Sequence, residues 1–63
     1  MFFVAICIRR ISDERWYGVI LADGPQHARH IAELRLSFCY DIEISGPFKS
    51  RHEAEELLRG MLA

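Results

Sequence analysis

Three histidines and two cysteines are the side chains of this 63-residue chain best suited to hold a metal or act as nucleophiles. His27 and His30 are three positions apart, so a helix would put them on one face. His52 and Cys39 are further potential ligands, but no tight C-x-x-C spacing accompanies any of them. A tetrahedral zinc site needs three or four ligands in fixed geometry. The pattern reads instead as two partly exposed helix histidines and one histidine in a first helical turn, and no metal or cofactor is expected. Cys7 or Cys39 beside a histidine could be an activated thiol. Both are small residues with apolar neighbours, a setting in which cysteine is usually inert filler. Asp41 and Glu43 would lie on one strand face, roughly 7 Å apart at Cα. Paired carboxylates can do acid–base work, but they serve equally as a solvated strand edge or as partners for arginines across an interface. No converging catalytic set emerges, and a non-enzymatic protein is expected.

Anion chemistry has two candidate locations. Arg9, Arg10 and Arg15 cluster around one loop and could touch phosphates, with Phe3 and Trp16 or Tyr17 stacking bases. Asp41 and Glu43, expected on that same face, would repel phosphate, and no Gly-aromatic RNA-binding motif is present. Lys49, Ser50, Arg51 and His52 surround a helix start, where free amides attract anions. There the capping pattern Ser50-x-x-Glu53 already uses some of those amides. No phosphate-cradling glycine loop, H-E-x-x-H or nucleophile elbow occurs.

Eight basic and nine acidic residues leave a net charge of −1, without the electrostatic footprint of a general nucleic-acid binder. A hydrophobic content of 51% favours a packed core plus a partner surface over disorder. A domain this small buries only about 60% of its unfolded surface and needs reinforcement, often by association. Two cysteines are few for a secreted mini-protein, which points to a reduced, cytoplasmic setting while leaving one Cys7–Cys39 bridge open. The apolar run Phe2 to Ile8 precedes its arginines and is too short for a signal peptide or a membrane span. The chain is read as one complete soluble domain, residues 1–63, with no membrane partner.

These side chains must be positioned by five elements. Phe2 to Ile8 is β-rich and apolar, suiting a central strand. A polar loop, Ile11 to Arg15, leads to a second strand, Trp16 to Ala22, in which Gly18 signals a bulge or a close backbone approach. Asp23 or Gly24 caps a helix with Pro25 at its first position, running to Ser37. His27, Ile31, Leu34 and Phe38 form its stripe, flanked by Ala28 and Arg35. Tyr40 to Ser45 alternates as a half-buried strand with Tyr40, Ile42 and Ile44 inward, and Gly46-Pro47 breaks it. Ser50 opens a closing helix whose apolar face is Ala54, Leu57, Leu58, Met61 and Leu62, with Glu55, Glu56 and Arg59 on the wet side. The expected fold is α+β, ββαβα. It has a three-stranded antiparallel sheet of order 2-1-3, with two helices packed on one face over Val4, Ile6, Ile42 and Ile44.

That arrangement leaves the second sheet face open. It would carry Phe3, Ala5, Cys7 and Arg9, with Asp41 and Glu43 on one edge and Trp16, or Tyr17 and Val19, on the other. An apolar centre with a charged rim marks an interaction site. The function expected is a small interaction module that self-associates as a homodimer or docks another protein through this face or through the edge strand. The alternative is a module that binds single-stranded nucleic acid or glycan. On this reading Phe3→Glu should dissociate a dimer and leave the fold intact.

The stretch Ile44 to Met61, with Gly46, Pro47, Phe48, Ser50 and Ala54, resembles the strand–GPF–helix half of the SPOR (sporulation-related) repeat family. The resemblance implies a small α+β domain and, in that family, binding of bare glycan strands of bacterial peptidoglycan. The family repeats a βαβ unit where this chain opens with a hairpin, so no site residue is carried over.

Overall fold

The computed structural model describes residues 1–35 and 41–63. Phe38, Cys39 and Tyr40, each given a role above, lie outside the described residues. The elements are β1 (Phe2–Arg9), β2 (Glu14–Leu21), α1 (Pro25–Glu33), β3 (Asp41–Phe48) and α2 (Arg51–Leu62). They form an α+β fold with a three-stranded antiparallel sheet of order β2-β1-β3. The most apolar strand takes the centre, as expected, and α1 carries the chain across it from β2 to β3.

The layering differs from the expectation. In the register of the sheet, Ala5 stands opposite Gly18 and Ile44, and Cys7 opposite Trp16 and Ile42. Residues paired across strands point to the same side, so Ile42 and Ile44 share a face with Phe3, Ala5 and Cys7, not with Val4 and Ile6. α1 covers this face. Phe3, Ala5, Cys7, Ile20, Ala22, Ala28 and Ala32 form the buried core, with Trp16, Ile31, Ile42 and Ile44 packed around it. The Cys7 thiol donates to the Ala32 carbonyl at 3.5 Å.

Val4 and Ala54 are also fully buried but stand outside that cluster. The Arg51 guanidinium lies over the Phe2 ring, 5.5 Å from its centroid. Phe2 and Val4 are on the side away from α1, so α2 covers the second face and the sheet is held between the two helices. The sequence carries the reason. β1 is apolar on both faces, the mark of a strand covered on both sides.

Local details follow from residue type. β3 does not stop at Gly46-Pro47. It bulges there, since Val4 pairs with Ser45 and Phe2 with Phe48. Gly46 has φ +132, and a Cβ on it would lie 2.9 Å from the Phe3 ring and 3.0 Å from the Phe2 carbonyl oxygen. Gly18 causes no register shift. The Trp16 indole folds over it, where a Cβ would sit 2.3 Å from the ring. α1 is capped by Gly24 with Pro25 in its first turn, and the Asp23 N–H donates to His27 Nδ1 at 3.1 Å. Its inward stripe is Ala28, Ile31 and Ala32, one position round from the expected one, while His27 and Leu34 are exposed. Small alanines let the helix approach the sheet closely. At α2 the Glu53 N–H donates to Ser50 Oγ at 3.2 Å, and the Glu53 carboxylate accepts from the Lys49 N–H at 3.3 Å. The capping box closes one residue earlier than its usual form.

Candidate interaction surface

The nine residues expected to form an open face are divided by the fold. Phe3, Ala5 and Cys7 are fully buried under α1, and Trp16 packs beside them. They are core, not surface. Arg9 lies at the end of that face with its guanidinium 2.8 Å from Glu14 Oε1. Tyr17, Val19, Asp41 and Glu43 are on the opposite face, where Tyr17 and Glu43 flank Ile6 and Asp41 stands beside Ile8.

The arginine cluster around the β1–β2 loop is internally neutralised. Arg9 meets Glu14, and Arg15 lies 3.4 Å from Asp13. Arg10 grips both oxygens of Asp41, and the hydrogen bond to that carboxylate, followed by its charge, raises the guanidinium pKa further. A phosphate arriving here would compete with a carboxylate at each arginine. Among the described residues, no three His, Cys, Asp or Glu side chains gather closely enough for a metal ion. His27 is engaged with Asp23, and His52 lies 3.1 Å from Glu56 on α2. No helix of the described residues is long and apolar enough to cross a membrane.

What the structure leaves accessible is an edge. β2 and β3 are the outer strands, and they differ. The β3 edge is blunted: Arg29 of α1 donates to the Ile42 carbonyl at 3.3 Å, and the Gly46-Pro47 bulge interrupts the strand. On β2, the Ala22 N–H donates to the Met1 carbonyl at 2.9 Å. Antiparallel strands alternate inward and outward backbone groups. Even-numbered residues of β2 therefore bond to β1, and Tyr17, Val19 and Leu21 turn their N–H and C=O outward. No hydrogen bond from the described residues covers these groups. Leu21 is 60% exposed beside them.

The second accessible feature is α2. Of its apolar residues only Ala54 is fully buried; Leu57, Met61 and Leu62 are exposed. A shallow open depression on this helix is lined by Glu55, Leu58, Arg59 and Leu62. From the sequence, Glu55 and Arg59 fall on the wet side of this helix and Leu58 and Leu62 on its apolar face, and that reading does not join the four into one surface. The available signal was an apolar helix face wider than one narrow sheet can cover.

Compared with known proteins, the chain matches no family model, no curated protein and no solved structure. The SPOR resemblance is thereby neither supported nor contradicted.

Proposed function

We propose that this protein is a small non-enzymatic interaction module that adds a strand of another protein chain to the outer edge of β2. The open backbone groups of Tyr17, Val19 and Leu21 carry this reading, because an unpaired edge is a template for strand addition. The blunted β3 edge directs such pairing to one side. Tyr17 and Val19, both expected to belong to the interface, supply the side chains of that edge, whereas Phe3, Ala5 and Cys7 serve the core. Leu21 adds an exposed apolar contact at the strand's end.

The test is amide hydrogen exchange across a concentration series and with candidate partners. The Tyr17, Val19 and Leu21 amides should exchange fast in the isolated monomer and become protected on association. Association that leaves all three unprotected would overturn the reading. Val19→Pro removes one outward donor and no bond to β1, so it should weaken association while the fold is retained.

A further inference from the structure

The edge of β2 and the depression on α2 are compatible with a single occupant. Resting on the edge-strand reading above, we infer that the partner is a second copy of this chain, and that Glu55 and Arg59 of α2 pair reciprocally with Arg59 and Glu55 of that copy.

The geometry runs from the strand to the helix. β3 ends beside Phe2, and Arg51 sits over the Phe2 ring. α2 thus starts at the Phe2 end of the sheet and runs back over it. Ala54 is buried and Leu58 partly so, which sets the face turned to the sheet. β2 and β3 are parallel to each other and joined through α1. With that crossover in its ordinary right-handed sense and α2 running alongside β1, the right-handed winding of α2 turns Glu55, Arg59 and Leu62 toward β2. Two β2 edges joined antiparallel around a two-fold axis normal to the sheet place both α2 helices on the same side, antiparallel. Strands are spaced about 4.8 Å apart. A helix seated between β1 and β2 would then lie about 10 Å from its mate, at the upper end of the ordinary interaxial distance.

The side chains suit that contact. On antiparallel helices, residues four apart exchange places across the axis, so Glu55 of each copy faces Arg59 of the other. Leu58 and Leu62 lie on the same stripe and cover the pair. A strand register centred on Gly18 puts Tyr17 opposite Val19 twice, an aromatic–β-branched pairing that favours sheets. Within one copy Glu55 lies 3.9 Å from the exposed Arg51, a pair of little weight, so changing its charge leaves the fold little affected. Such an interface is isologous, as two-fold dimers require.

Sedimentation equilibrium of the full chain tests the inference, with circular dichroism as the control for folding. Wild type should dimerise at high micromolar concentration. Glu55→Arg and Arg59→Glu should each weaken the dimer about tenfold, and the double variant should recover it. A monomeric wild type, or a double variant no tighter than the singles, overturns the helix pairing. Val19→Pro separates the two readings. If it dissolves the dimer while the charge swaps change nothing, the edge is used and the helix pairing is wrong. If wild type dimerises and Val19→Pro leaves the dimer intact, both are wrong. If wild type is monomeric, the edge reading is decided by amide protection with other partners.

Discussion

At the residue scale, burial divides the apolar side chains of β1 and β2 into those that hold the fold and those available to a partner. Phe3 is fully buried between the sheet and α1. Truncating such a ring costs about 3–5 kcal/mol. A domain of this size has roughly 3–9 kcal/mol in total, at the usual 0.05–0.15 kcal/mol per residue. Phe3→Ala should therefore remove about half of that stability or more, seen as a lower urea midpoint. Phe3→Glu also puts a carboxylate into this core and should unfold the domain, seen as loss of the cooperative transition in urea, in contrast to the expectation of a folded monomer. Gly46→Ala should cost about 1–3 kcal/mol, because a side chain at that φ is strained and meets the Phe3 ring. Its urea midpoint is the measurement. Cys7 should resist thiol reagents in the native state and react only on unfolding, since its side chain has no solvent-accessible surface. In the sequence Gly18 reads as a bulge or a close backbone approach; instead the register runs on unbroken and the group that comes close is an indole from its own strand, which spacing alone does not specify.

At the scale of elements, the order and type of all five were legible, and so was the central place of β1. Strong β-formers, the Gly24-Pro25 helix start and the Ser50 cap each act locally, so a local reading finds them. Ser50→Ala should lower stability by about 1 kcal/mol through loss of the Glu53 amide's acceptor, measurable by thermal melting. Face assignment was not legible, because it depends on register. Pairing Ile44 with Ala5 instead of Val4 sends Ile42 and Ile44 to the other side of the sheet, since a one-residue slip inverts every side chain. Periodicity in β3 alone says only that two isoleucines point together. The same limit applies to α1, where a stripe through His27 and Leu34 scores well by hydropathy. The sheet selects Ala28 and Ala32 instead, because it needs close approach more than bulk.

For the whole molecule, the consequence of sandwiching one narrow sheet is that little apolar surface remains free on its faces. The free surface moves to the β2 edge and to α2. Composition pointed to a partner surface, by the need of a small domain for reinforcement, and the residues on which that surface was expected include Phe3, Ala5 and Cys7, which the fold uses as core. If self-association supplies part of the stability, the melting temperature should rise with protein concentration. A melting temperature constant over a hundredfold dilution would show that the monomer stands alone.

The inequality between the two sheet edges bears on how far assembly can proceed. A sheet open on both sides would accept copies indefinitely and grow into fibres. Here Arg29 and the Gly46-Pro47 bulge blunt one side, so on the proposed reading a copy that joined through β2 would use up the open edge of each partner. On that reading polymerisation would stop at its first step, and the irregularity of the strand at the opposite edge would be what averts the fibrous fate of an exposed apolar strand.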